Sequence, residues 1–173
     1  MIFKKEHLLL QKAVRKFAEE AVLPYAAERE KEGAISRDLM EKLARYKYTS
    51  PIVPKEYGGA GADYTSYVII MEEISKKCAS TGTFTTAAAS LVSSPLLNFG
   101  TEEQKQKYLT RITSGEAIGA FGLTEPGAGS DAGGQTTTAV LDGDSYILNG
   151  RKTFITNAPI ADFAIVIAVT ERG

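Results

Sequence analysis

Apolar residues recur every three or four positions through the first two thirds of the chain, a spacing that predicts helices. Leu10, Val14, Phe17, Ala18 and Ala21 fall on one helical face, with Lys, Arg and Glu between them. Pro24 breaks or bends that helix, because it lacks a donor N–H and clashes with the preceding turn. The helical pattern resumes through Glu32 and ends at Gly33. Ser36 reads as the N-cap of a short helix carrying Leu39, Met40 and Leu43. Two prolines and three glycines between Tyr48 and Gly61 rule out regular helix there. Asp63 caps a helix with Tyr64, Tyr67, Val68, Met71 and Ile74 on one face, and Thr81-Gly82 interrupts the pattern. A small-residue helix follows from about Thr83 to Asn98. Its Ala87-Ala88-Ala89 run has no polar face and belongs in the centre of the helical domain. Phe99-Gly100 closes it, and Thr101-Glu102-Glu103-Gln104 is a capping box that opens a helix through Tyr108, Leu109 and Ile112.

The period changes at Ser114-Gly115-Glu116. Ile118 to Leu123 reads as a strand, and Gln135 to Leu141 is Thr-rich and β-prone. Asp142-Gly143 signals a two-residue hairpin, with Tyr146-Ile147-Leu148 returning. Asn149-Gly150 is a second such signal ahead of Thr153-Phe154-Ile155. Phe163 to Val169 is a continuous apolar, β-branched run of the kind found in strands covered on both faces. The fold class is therefore α+β by segments: an N-terminal all-α helical domain over 1–116, then an incomplete antiparallel β domain over 117–173.

Composition narrows the function classes. A chain of 173 residues, 43% hydrophobic, is an ordinary globular protein of one domain or one and part of another. Its net charge of −1, with Lys and Arg spread along helices, predicts no attraction to nucleic acid or membrane. No apolar run reaches the ~18 residues of a membrane span. The N-terminus, Met1 to His7, turns polar at once and lacks a signal-peptide core. With one cysteine as well, the expected location is cytoplasmic. Cys78 has no histidine near it in sequence and reads as a small buried residue, while His7 reads as a surface residue. One His and one Cys provide neither a zinc ligand set nor a nucleophile–base pair.

The candidate chemistry lies in two segments. Phe121-Gly122-Leu123-Thr124-Glu125-Pro126-Gly127-Ala128-Gly129-Ser130-Asp131 joins a strand to a loop holding two hydroxyls, two acids and three glycines. Such a loop brings backbone N–H groups close to an anionic or heteroaromatic ligand, because glycine has no Cβ to block the approach. About thirty residues on, Lys152-Thr153-Phe154-Ile155-Thr156-Asn157 supplies another aromatic ring and more hydroxyls.

These blocks, with Val53-Pro54-Lys55-Glu56-Tyr57-Gly58-Gly59 and Phe99 to Leu109 before them, resemble the N-terminal part of acyl-CoA dehydrogenases along essentially the whole chain. The resemblance implies an FAD-dependent enzyme that desaturates an acyl-CoA thioester between its α and β carbons. Electrons would pass to an electron-transferring flavoprotein, and the complete protein would be a homo-oligomer. It implies cofactor contacts from Phe121, Leu123, Thr124, Gly129, Ser130, Phe154, Ile155 and Thr156. Among these, Thr124 would bond the pyrimidine edge and the Thr156 hydroxyl would lie near N5. Ser130 would sit between the FAD phosphates and the acyl-CoA pantetheine. The family's catalytic carboxylate belongs to a C-terminal helical domain absent from this chain, so no catalytic residue is assigned. Glu125 and Asp131 become loop-structuring residues, and at least one of Glu72 and Glu73 should face solvent.

The resemblance also shows departures. Phe154 replaces a common Trp, Thr85 to Ser90 lacks a histidine that relatives often carry, and Lys47 to Ser50 stands where a glycine-containing turn is usual. The chain reads as a fragment or one half of a split protein. An acyl-CoA oxidase of the same fold is one alternative. The other is a non-catalytic, partner-dependent module with incomplete FAD and acyl-CoA sites.

Overall fold

The computed structural model describes residues 3–171. The readings that touch Met1, Ile2, Arg172 and Gly173, at the polar N-terminus and at the end of the predicted β domain, lie outside the described residues.

The helical part follows the apolar period closely. Helix α1 (Lys5–Phe17) runs into a π turn (Ala18–Val22) and a 3₁₀ turn (Leu23–Tyr25) before α2 (Ala26–Glu32). Pro24 explains this break, since a helix reaching it loses one donor and must change pitch. Ser36 caps α3 (Arg37–Arg45) by accepting from the Leu39 N–H at 3.4 Å, and Asp63 caps α4 (Tyr64–Ser75) by accepting from the Ser66 N–H at 2.8 Å. Helix α5 (Ala79–Thr86) passes through a second π turn (Ala87–Val92) into α6 (Ser93–Phe99). The capping box forms in both directions: Gln104 N–H donates to Thr101 Oγ1 at 3.2 Å, and Thr101 N–H donates to Gln104 Oε1 at 2.9 Å. It opens α7 (Glu102–Gln104), which a third π turn joins to α8 (Thr110–Ser114).

One helix boundary differs from the sequence reading. The chain breaks at residues 76–78, and α5 runs straight through Thr81-Gly82. Gly82 serves packing there, because a Cβ would collide with the Ser75 side chain.

Two apolar clusters form the core. Val14, Val22, Leu39, Leu43, Ile74 and Phe84 join α1, α3, α4 and α5. Val53, Tyr57, Val92, Leu96, Leu109 and Ile112 form the second cluster, and Phe163 and Ile165 pack onto it from the β region. Each fully buried Leu, Ile or Val side chain stabilises the fold by roughly 1.5–3 kcal/mol. Tyr57 holds the Pro/Gly-rich loop in place: its hydroxyl donates to Glu102 Oε2 at 2.9 Å, and its carbonyl accepts from Thr113 Oγ1 at 2.7 Å.

The β region comprises β1 (Gly119–Gly122), β2 (Thr138–Asp142), β3 (Ser145–Asn149) and β4 (Phe163–Val166). β2 and β3 form the antiparallel hairpin, with Asp142 opposite Ser145. The loop is thus Gly143-Asp144, one residue beyond the predicted pair, and Gly143 takes φ 59° at its first position. β1 pairs with β4 in parallel, Gly119 opposite Phe163, so the hairpin belongs to the crossover between them. No second hairpin forms at Asn149-Gly150, because the Thr153 N–H bonds the Thr124 carbonyl at 2.9 Å rather than returning to β3. β4 is half-buried rather than covered on both faces.

His7 is a further correction. It is buried, with Nε2 3.0 Å from Asp63 Oδ2, while Nδ1 accepts from the Lys4 N–H at 3.2 Å. Its partner is 56 residues away in sequence, beyond the reach of any local pattern. Cys78 is partly buried. Glu72 is half-exposed, whereas Glu73 is buried against Arg15 at 2.9 Å. Among the described residues no helix is long and apolar enough to cross a membrane, and no group of three His, Cys, Asp or Glu could hold a metal ion.

Candidate functional site

β1 ends at Gly122, and the chain continues as Leu123, Thr124 and a tight turn in which Glu125 and Ala128 exchange backbone hydrogen bonds. The second segment, Phe154 to Thr156, returns beside it. Phe121, Leu123, Thr124, Phe154, Ile155 and Thr156 line one cleft of about 170 Å³, together with Ala87 and Leu91 from the second π turn. Six of the eight candidate residues thus share one wall. Gly129 and Ser130 lie on an exposed loop and do not line the cleft.

Glu125 and Lys152 hold the two segments together. Lys152 Nζ donates to Glu125 Oε1 at 2.8 Å, to the Leu123 carbonyl at 2.9 Å and to Gln135 Oε1 at 3.1 Å. Glu125 is only 4% exposed and also accepts from the N–H groups of Thr136 (2.6 Å) and Thr137 (2.9 Å). The Lys152 ammonium, with Thr137 and the Thr136 N–H behind it, holds the Glu125 carboxyl far below the usual carboxylate range. Glu125 is therefore a brace ion-paired to Lys152. This matches the loop-structuring role expected of it.

Phe154 carries the most unusual backbone of the site. Its φ is 56°, in the left-handed region that bulky residues avoid, and its ring is 92% exposed. Strain of this kind concentrates at ligand sites, where the surroundings hold a conformation the residue would not choose. The cleft is lined by the apolar Leu123 and Ile155, the hydroxyl-bearing Thr124 and Thr156, and the exposed Phe154. That set suits one face and one polar edge of a planar heteroaromatic group. A volume of about 170 Å³ accommodates part of such a ring system and not a whole dinucleotide.

Sequence reasoning did not identify Ala87, Leu91 or Lys152 as site residues. The alanine run was a usable signal, since small side chains leave room for a neighbour. Lys152 gave none, because its partners are set by the fold.

Comparison with known proteins places these features in one family. The profile described as "Acyl-CoA dehydrogenase, N-terminal domain" matches residues 4–116, and that for the "Acyl-CoA dehydrogenase, middle domain" matches 120–173. A 3-(aryl)acrylate reductase of Clostridium sporogenes is 50% identical over 173 residues, covering 100% of this chain and 46% of that protein. The human mitochondrial short-chain specific acyl-CoA dehydrogenase is 48% identical over 167 residues, covering 96% of this chain and 40% of that one. Butyryl-CoA dehydrogenase from Megasphaera elsdenii superposes with a TM-score of 0.90 at 38% identity, covering 99% of this chain and 46% of that one. A glutaryl-CoA dehydrogenase from Mycobacterium smegmatis in complex with FADH2 gives 0.93 at 32%, covering 99% and 44%. The chain thus spans less than half the length of these relatives.

The cytoplasmic expectation is overturned by these relatives, since the human, bovine, rat and porcine enzymes are described as mitochondrial. A single thiol shows only that the chain forms no internal disulfide. That does not discriminate among compartments that keep thiols reduced.

Proposed function

Because the chain belongs to the acyl-CoA dehydrogenase family, we propose that Phe121, Leu123, Thr124, Gly129, Ser130, Phe154, Ile155 and Thr156 form part of an FAD site. The protein to which they belong desaturates an acyl-CoA thioester at its α and β carbons. The division at residue 116, an electron-transferring flavoprotein as acceptor and a homo-oligomeric assembly are parts of the same proposal.

One observation supports it above the others: two segments about thirty residues apart in sequence converge on a single cleft lined by two threonines and by apolar side chains. When bound, FAD supplies the two-electron acceptor. The chain's own residues supply placement. Leu123 and Ile155 would exclude water from one face of the ring, and Phe154 would add aromatic packing. The Thr124 hydroxyl would donate to the pyrimidine edge, where negative charge grows on reduction, and the Thr156 hydroxyl would lie near N5; donors fixed in this way need no reorganisation. Positions 127 and 129 are open, with nothing within 4 Å of where a Cβ would stand, so their backbone N–H groups can approach an anion. Ser130, on the same exposed loop, is assigned to the phosphates and the pantetheine. None of the residues lining the cleft is a carboxylate, and the buried Glu125 beside it is engaged by Lys152, so removal of the α-proton is assigned to none of them.

The test is the flavin-loaded protein assayed with butyryl-CoA and a dye acceptor, beside Thr124→Val and Thr156→Val. Removing one positioned donor should lower turnover by roughly 100-fold and shift the bound-flavin absorbance. Unchanged turnover and spectra in both variants would refute the assignment.

A second reading, reduction of an α,β-unsaturated thioester with an aryl substituent, is favoured by the 50% identity to the 3-(aryl)acrylate reductase. Faster turnover of cinnamoyl-CoA with a reduced carrier than of butyryl-CoA with an oxidised dye would select it.

A further inference from the structure

A second cleft, of about 360 Å³, lies where the end of α2, the start of α5 and residues 157–160 meet, and it shares no lining residue with the first. Arg29 lines it and is only 6% exposed. One of its terminal nitrogens donates to the Val22 carbonyl at the Pro24 break, but its Nε is buried with no hydrogen-bond partner. Among the described residues no carboxylate stands within ion-pair distance of it. Asn157, held at φ 68°, also lines the cleft, and its Nδ2 is likewise buried and unpartnered. Buried donors with no acceptor are strongly unfavourable and call for lone pairs from elsewhere.

We propose that this cleft takes a monocarboxylate. Its oxygens accept from Arg29 Nε and Asn157 Nδ2, and its hydrocarbon part lies against Ile35, Pro159 and Ile160. A carboxylate oxygen matches the Arg29 Nε donor that remains unpartnered while the guanidinium also reaches the Val22 carbonyl and approaches Cys78. The exposed Glu30 on the rim repels a dianion such as phosphate. The carboxylate can belong to a free acid or to an Asp or Glu side chain elsewhere in the assembled protein. The inference is independent of the flavin assignment.

The test titrates the purified flavin-loaded protein with sodium benzoate, using benzamide as the uncharged counterpart. Benzoate should raise Tm saturably, as expected of a ligand of the folded state alone, and benzamide should not. Arg29→Gln should abolish the effect, and Asn157→Leu should weaken binding roughly 10-fold, the loss of one hydrogen bond to a charged group. Should Arg29→Gln fail to fold, Asn157→Leu carries the test. A protein that refuses benzoate, with an Asp or Glu oxygen within ion-pair distance of Arg29 in a crystal structure of the full protein, supports the tethered source. Equal protection of wild type and both variants would overturn the proposal. So would benzoate failing to bind while no protein carboxylate lies at Arg29.

Discussion

Lys152 Nζ stands 2.8 Å from Glu125 Oε1, and the same ammonium holds the Leu123 carbonyl at 2.9 Å. One side chain therefore fastens the end of β1 to the segment that carries Phe154. The arrangement makes the two residues energetically dependent on each other. Glu125→Gln and Lys152→Met should each lower Tm and flavin retention, and the double variant should lose much less than the two single losses combined. Thermal unfolding of the four proteins measures this coupling. Additive losses would mean that the contact does not hold the cleft.

Acid should act first on the helical part. The Arg15 guanidinium, assisted by Lys76, holds Glu73 at about 2, and the Ser66 N–H, assisted by His7, holds Asp63 at about 2. Both carboxyls lie below their ordinary values of 4.5 and 3.8, so their stabilisation is complete above those values and is lost as pH falls toward 2. Urea unfolding at a series of pH values should show this acid limb, and Glu73→Gln should flatten it while lowering stability at neutral pH. An unchanged slope in the variant would contradict the pairing.

Phe154 offers a separation of stability from binding. Its ring is 92% exposed and its φ is 56°. Phe154→Gly removes a left-handed penalty of about 1–2 kcal/mol, and part of that gain is offset by the greater freedom of glycine in the unfolded chain. Stability without flavin should rise by about 1 kcal/mol or less, and flavin affinity should fall. Denaturant melts and fluorescence titration together decide it. A clear loss of stability would show that the ring packs in the folded state.

Cys78 should react at lower pH than a free thiol. Burial pushes its pKa up, but bonds from Ser80 and Thr81, with Arg29 nearby, outweigh burial and leave it at about 7. The iodoacetamide alkylation rate should therefore rise through a midpoint near 7, and Ser80→Ala should move that midpoint upward. A midpoint above 8 in the wild type would refute this account.

Local chemistry was the legible part of the sequence. The Thr101–Gln104 box, the Ser36 and Asp63 caps and the break at Pro24 each depend on residues within a turn of one another, and all appear in the structure. What escaped depends on distant partners. His7 is buried because Asp63 arrives beside it, and Thr153 leaves the hairpin because Thr124 offers a carbonyl. The parallel β1–β4 pair follows the same rule, since no spacing within either strand specifies a neighbour across a crossover. The site was half legible: its two segments stood out by their glycines and hydroxyls, while Ala87, Leu91 and the Lys152 fastening needed the fold. The Lys47 to Ser50 segment shows a signal of intermediate kind. It stands where a glycine-containing turn is usual, and within it Lys47 adopts φ 61° while its ammonium reaches the Thr113 carbonyl at 3.0 Å.

The β1–β4 pairing also sets an order of events during synthesis. The helical contacts span up to 66 residues, as between Lys47 and Thr113, but they close before the β region emerges, whereas β1 must wait for a partner encoded 44 residues later, as the Ile118–Asp162 contact shows. Until β4 emerges, the strand that leads into Leu123 and Thr124 is a bare edge. The nascent cleft therefore becomes committed after the helices, and a pause in translation before residue 163 would lengthen the interval in which that edge can pair with the wrong chain.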